Sequence, residues 1–400
     1  MINDARALAA SLVRQSGAQE RGLPFFCYGT AATAVVGIGR KYSFKMPGIT
    51  SLDVVWAAIN DFFRANAGQY IVGFIGFDPS NELHNDIAVV EQKVDLFVPA
   101  TVIECSRSGY SVKSGEFSLQ SPLNDSVVSP AAKLEPAGFD RQSYRSDYSA
   151  AVGNVLDAIR SGEVERLTLA RRIEVDRALD LAATFLSEGS RHECARNFHF
   201  NNEFIRFAGQ SPELLAEGDI HSFFSHKLSG TYRKDGERRV AELSKLFVED
   251  ERIRAEHHSS IAAIEKSLAT IGAVEVRRFQ VMELPTLLHG WSEFTTRPAP
   301  HSGIADCLRA VFPYGVQPLE AGLALLKKNE TFLRGPYYGL VGCIQPGGHF
   351  SFTQVLRAVF ADDCSNYLIA GAAITRHSTP ELEVAETCAK LSGVQLFEMP

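Results

Sequence analysis

The chain has 400 residues, of which 45% are hydrophobic and 22% charged, with 40 Lys and Arg against 47 Asp and Glu for a formal net charge of −7. That length exceeds what one simple core organises, so two parts or one composite core are expected. The acidic balance argues against a nucleic-acid partner, which would favour a basic face, yet leaves room for a small anionic ligand in a local pocket.

Seven cysteines at 27, 105, 194, 307, 343, 364 and 388 form no CxxC pair. An odd, scattered set reads as reduced thiols rather than a disulfide framework or a zinc site. Residues 1–17 read as an amphipathic helix without a signal-peptide pattern, and no apolar run reaches the length that spans a bilayer. The expectation is a soluble cytoplasmic protein with no membrane partner.

In chain order, residues 1–138 read as β-rich. Segments 24–28 and 34–38 suggest a hairpin, 51–66 a helix, 69–77 a buried strand, and 95–104 and 110–113 further strands. The polar, proline-containing stretch 114–138 reads as a linker or long surface loop. From residue 139 the texture changes. Tyr148, Val152, Val155 and Ile159 fall at helical spacing, with Gly162 as the stop. Segment 165–175 alternates as a strand, with Leu167, Leu169 and Arg171 on one face and Arg166, Thr168 and Ala170 on the other. An Ala/Leu-rich helix, a strand over 203–208 and the turn GQSPELL follow. A helix over 248–272 carries Ile253, His257, Ile261, Ile264, Leu268 and Ile271 on a buried stripe. Glu256 stands at the edge of that stripe, where a carboxylate requires a cation or a donor, and a salt bridge to an arginine is the plain reading.

A helix over 319–332 leads into RGPYYG. Segment 349–361 reads as one strand, with Phe350, Phe352, Leu356 and Phe360 on one face and Ser351, Thr353, Val355 and Arg357 on the other. An arginine in such a place usually meets a carboxylate, of the protein or of a ligand. The last helix has a clear start: Ser378 or Thr379 as cap, Pro380 where a missing N–H matters least, and Glu381 in the first turn. Leu382, Ala385 and Ala389 suggest its apolar stripe. Glu383, Glu386 and Lys390 share another face, although carboxylates one turn apart are also a common solvated pattern.

Taken in order, SPELL (211–215), GTYR (230–233), AEH (255–257), RGPYYG (334–339), the segment with Arg357, AGAAI (370–374) and ExxET with Lys390 form a series. That series resembles the chorismate-utilising enzymes, namely isochorismate, salicylate, anthranilate and aminodeoxychorismate synthases. The resemblance implies an α+β, anthranilate-synthase-component-I-like fold, with two packed β-sheets in the core and helices outside. Residues 1–138 would be the N-terminal β-rich part of the composite fold and 139–400 the chorismate-binding catalytic part. It implies one Mg²⁺ held by Glu256 and Glu386, with Glu383 beside them, gripping a substrate carboxylate. Glu213 matches the general acid that protonates a departing C4 hydroxyl. Tyr337 and Arg357 match the donors to the second carboxylate, and Gly371 a glycine whose backbone approaches the ligand. Lys390 matches a residue near the metal, His289 one lining the pocket, and Gly230 and Thr231 the pair beneath the ring.

Several positions depart from the pattern. Arg166 stands where water-using members carry a lysine base and ammonia-using members a glutamine, and guanidinium does not abstract protons. Lys227, just before LSGT, is the substitute candidate for that base, although a solvated lysine is the plainer reading. Ile253 replaces a carboxylate, Ala373 replaces a glycine, and Val316 occupies a shortened loop where a glycine is expected. These changes fall on the side that receives the nucleophile. The expected activity is that of a Mg²⁺-dependent isochorismate synthase, taking chorismate to isochorismate or onward to salicylate, in siderophore, menaquinone or other secondary metabolism. The alternatives are a pyruvate-eliminating lyase, another reaction on a chorismate derivative, and a catalytically silent binding homologue. A monomer is expected, without a glutaminase partner, because residue 166 is not glutamine.

Overall fold

The computed structural model describes residues 4–46, 51–79, 93–117, 133–134, 143–187, 195–233, 240–283 and 287–399. The stretch expected to be a linker lies mostly outside them. Among the described residues, seventeen strands join in one hydrogen-bonded network, and a two-stranded pairing of Lys133–Leu134 with Leu396–Phe397 stands apart.

The strand Ile71–Ile75 shows how the layers arise. Its alternate side chains serve two cores. Val72 and Phe74 enter a cluster made almost wholly of strand residues, among them Phe26, Phe97, Phe198, Phe200, Phe207 and Phe360. Ile71 and Ile75 enter a second cluster that the helices Leu52–Ala65, Glu251–Ala269 and Ile304–Ala310 help to build. Strands buried on both faces read as continuous apolar runs, as FFCYG and IVGFI do. The architecture is α+β: strand faces packed on one another in the middle, helices over the outer faces.

The parts before and after residue 138 share this network. Phe25–Gly29 pairs with Arg196–Asn201, and Ile71–Ile75 pairs with Leu340–Ile344. The 138/139 boundary itself falls outside the described residues.

Three local readings need correction. Residues 240–269 form two helices, Val240–Glu249 and Glu251–Ala269, where one was expected over 248–272. Segment 349–361 is two strands, Phe350–Gln354 and Ala358–Ala361, with Arg357 in the left-handed region at φ 48° between them. The break has a topological cause, since the first piece pairs with Leu214–Gly218 and the second with Arg206–Ser211. Alternation in the sequence runs on through the break, but the structure sends Phe350 and Phe352 to one core and Phe360 to another.

The helix Pro380–Ser392 starts as expected, with Thr379 Oγ1 accepting from the Leu382 N–H. Its inner face differs: Glu383, Val384, Thr387 and Leu391 are buried, while Leu382 is 49% exposed. The helix turns a partly polar face inward, and hydrophobicity alone picked the wrong stripe. Among the described residues, no helix is long and apolar enough to cross a membrane. The six described cysteines form no disulfide.

Candidate active site

A cavity of about 290 Å³ lies between the strands Arg166–Val175, Phe223–Arg233 and Asn366–Ile374 and the helices Glu251–Ala269 and Pro380–Ser392. Arg166, Glu213, Lys227, His289, Tyr337, Arg357, Gly371, Ala373, Glu386 and Lys390 line it. Residues scattered over more than two hundred positions thus meet at one place.

Glu213 sits in the short turn between Arg206–Ser211 and Leu214–Gly218. Its carbonyl accepts from the Gln354 N–H at 3.0 Å and from Thr353 Oγ1 at 2.6 Å, which fixes the backbone. Its carboxylate meets Lys227 Nζ at 2.7 Å, with side-chain exposures of 4% and 13%. Burial alone pushes the Lys227 ammonium down, but the Glu213 charge reverses this and leaves it above its ordinary value, with Tyr338 adding to Glu213 and Arg166 opposing. Lys227 is therefore neither a solvated lysine nor a free base at rest.

Arg357 reaches the cavity through its left-handed backbone. Its Nη2 donates to His289 Nε2 at 3.2 Å. A guanidinium offers only donors, so Nε2 is the acceptor and the imidazole is neutral in this geometry. Burial pushes the guanidinium down to about 10, against a smaller upward pull from Tyr337. Among the described residues Arg357 pairs with no carboxylate.

Tyr337 is buried, and burial raises its phenol above the usual range, against a smaller downward pull from Arg334 and a still smaller one from a backbone hydrogen bond from Gly371. A Cβ at residue 371 would lie 3.2 Å from the Tyr337 hydroxyl and 3.1 Å from the Leu169 carbonyl, so this position admits little beyond glycine. The arginine of RGPYYG is structural. Arg334 pairs with Glu330 at 2.6 Å, donates to the Thr168 carbonyl and covers the Phe77 ring at 4.0 Å. It fixes the turn that presents Tyr337.

Beside them, Lys390 Nζ bridges Glu386 Oε1 at 2.7 Å and the Gly371 carbonyl at 2.9 Å. Glu383 is buried but stands off the cavity wall. Its charge and that of Glu386 push the Tyr148 phenol up, behind the larger effect of burial. Ala373 lines the cavity from the strand it shares with Gly371. The backbone of Glu256 lies one turn before Ser260, on the helix face from which Ser260, Ala263 and Ser267 line the cavity. Its side chain and those of Thr231 and Ile253 fall outside the described residues, as does the surface of Gly230, although the Thr231 backbone pairs with His289. Among the described residues, no three His, Cys, Asp or Glu side chains cluster as a metal site. Glu386 supplies a hard oxygen donor to the cavity, the ligand type that Mg²⁺ takes.

Arg166 lines the cavity beside the helix Glu251–Ala269. Its Nη1 donates to Ser260 Oγ at 2.6 Å, and its Nε is buried with no hydrogen-bond partner among the described residues. Nearby, Gly315 has φ 66°, and a Cβ there would lie 2.8 Å from Thr168 Oγ1. Val316 is held against Gly322 and pairs in register with Leu167. Sequence reasoning did not single out Ser260, Thr168 or Tyr338. Each left a signal: Ser260 lies four residues after Glu256, Thr168 shares the strand face of Arg166, and Tyr338 stands in RGPYYG.

Four cationic side chains, Arg166, Lys227, Arg357 and Lys390, thus face two described carboxylates, Glu213 and Glu386. In a chain of net charge −7, this local excess favours an anionic ligand.

Residues 20–395 match the chorismate binding enzyme family. The chain belongs to that family. Anthranilate synthase component 1 of Arthrobacter globiformis is 26% identical over 293 residues, 68% of this chain and 55% of that protein. The component 1 of Archaeoglobus fulgidus is 29% identical over 292 residues, 70% of each. Salicylate synthase of Mycolicibacterium paratuberculosis is 28% identical over 267 residues, 62% of this chain and 57% of that protein. The chain therefore spans little more than half the length of two of these relatives. MenF, the menaquinone-specific isochorismate synthase of Escherichia coli, superposes with a TM-score of 0.73 at 20% identity, covering 98% of this chain and 90% of its own. The putative 2,3-dihydroxybenzoate-specific isochorismate synthase DhbC of Bacillus anthracis gives 0.70 at 19%, covering 93% and 95%. At these identities the likeness establishes the fold of this chorismate binding enzyme family member.

Proposed function

We propose that the chain is a Mg²⁺-dependent enzyme that converts chorismate to isochorismate. The observation that carries this reading is the gathering of cationic donors in one cavity. Arg357, without a carboxylate partner among the described residues, stands there with Tyr337, Lys390 and Glu386. A rigid dicarboxylate spans such a site. One carboxylate meets the Arg357 guanidinium as charge-assisted hydrogen bonds, and the other lies toward Glu386 and Glu256, which would hold the metal. When bound, Mg²⁺ supplies charge stabilisation at that carboxylate. Glu213 is the group that protonates the oxygen leaving C4. Neither Arg166 nor the protonated Lys227 accepts a proton at rest, so the proton of the attacking water passes to solvent.

Purified protein incubated with chorismate and Mg²⁺ should yield isochorismate by chromatography, EDTA should stop it and added Mg²⁺ restore it. If no isochorismate, salicylate or pyruvate forms, the assignment is wrong. The Arg166–Ser260 contact favours a second reading, in which the ligand binds without hydroxyl exchange. Pyruvate release without isochorismate would then mark a lyase, and calorimetric binding of chorismate without any product would mark a silent homologue. A monomeric, cytoplasmic enzyme acting without a glutaminase belongs to the same proposal.

A further inference from the structure

Glu213 and Lys227 form an ion pair at 2.7 Å in which both side chains are almost withdrawn from water. Such a buried pair adds little to stability compared with apolar residues of the same shape, so stability alone does not explain it. Both partners line the ligand cavity rather than the core. The charged and titratable groups that bear on Lys227 are Glu213, Tyr338 from the turn after Arg334, and Arg166 from the facing strand, with His289 and Arg357 further along the wall. A lone buried carboxyl could hold its own proton for a leaving group. This one has the Lys227 ammonium against it at 2.7 Å.

We propose that Lys227 is a positioning residue that acts through Glu213, fixing its carboxylate in the cavity and handing it the proton that the leaving oxygen takes. This rests on Glu213 acting as the acid in the reading above. The balance is complete with water alone. The C4–O bond breaks with its electron pair on oxygen, which takes a proton from Glu213 and departs as water. Glu213 has received that proton from the Lys227 ammonium, leaving a neutral amine. The attacking water forms its bond to the ring and releases one proton, which reaches the amine through solvent. One proton is thus shared by two groups, and it stays on the pair throughout the neutral range, because the Glu213 charge holds the Lys227 ammonium above its ordinary value.

The test is the pH dependence of kcat on chorismate with Mg²⁺ for the wild type, Lys227→Met and Lys227→Arg, joined to infrared difference spectra against Glu213→Gln. The wild type should show a flat profile through neutral pH and a carboxylate band. In Lys227→Met the buried carboxyl must keep its own proton, so kcat should fall as pH rises through neutrality and a protonated carbonyl band should titrate in parallel. Lys227→Arg keeps the charge but holds its proton too tightly, so kcat should drop by about 100-fold with KM little changed. A falling neutral limb in the wild type, full kcat in Lys227→Arg, or an unchanged carboxylate band in Lys227→Met would each overturn the proposal. A wild type inert toward chorismate would overturn the function proposed above, and the infrared arm, which needs no turnover, would still decide on the shared proton.

Discussion

Arg166 is the residue at which the proposed reaction is most directly tested. Its guanidinium is held by Ser260 at 2.6 Å and stands near the Lys227 ammonium. A lysine at 166 would keep a positive charge but would feel that neighbour and its own burial, both of which lower an amine's pKa. Part of it would then be neutral and able to accept a proton from water. Arg166→Lys is therefore expected to raise the rate of isochorismate formation from chorismate by about 10-fold or more, with KM nearly unchanged, in a steady-state assay. An unchanged or lower rate would mean that residue 166 does not limit the hydroxyl exchange. The type of residue at 166 was legible in the sequence, because strand alternation put it with Thr168 on one face. Its tie to Ser260 was not, because hydrogen bonds between a strand and a helix 94 positions apart leave no periodic trace.

At the scale of elements, the helix Pro380–Ser392 shows what local chemistry can and cannot announce. Its cap, its Pro380 and its acidic first turn are all readable as a start signal. Which face turns inward is not, because the inner face carries Glu383, Thr387 and, toward the cavity, Glu386 and Lys390. A helix that serves a ligand site buries polar groups, which a hydrophobic stripe cannot forecast. The kink at Arg357 is similar: alternation put Leu356 and Arg357 on opposite faces, yet both line the cavity, because the left-handed backbone at Arg357 breaks the period. The cap allows a direct measurement. Thr379→Ala removes the acceptor for the Leu382 N–H and should destabilise the protein by about 1 kcal/mol in denaturant unfolding. The loosened first turn lies two turns from Lys390, so Mg²⁺ dependence of activity should shift far less than stability. A loss of Mg²⁺ response without a loss of stability would show that the cap acts on the site instead.

On the scale of the whole molecule, the sequence separates a β-rich beginning from a motif-bearing remainder, and only the ladders show how the two depend on each other. All the motifs of the resemblance lie after residue 210, which invites the thought that residues 139–400 suffice. The pairing argues otherwise. Without the first 138 residues, Arg196–Asn201 loses Phe25–Gly29 and Leu340–Ile344 loses Ile71–Ile75, each leaving a bare strand edge. The central cluster would also lose Phe26, Val72, Phe74 and Phe97 from around Phe200, Phe207 and Val341. Each large side chain removed from such a core is worth roughly 2–5 kcal/mol, and four together exceed much of the net stability of an ordinary domain. Residues 139–400 expressed alone should therefore be insoluble or lack near-UV circular dichroism. Co-expression with 1–138 as a separate chain should restore a soluble complex that unfolds in one transition. If the 139–400 fragment instead unfolds cooperatively by itself and binds chorismate in calorimetry, the two parts are independent domains and the shared strand ladders contribute little.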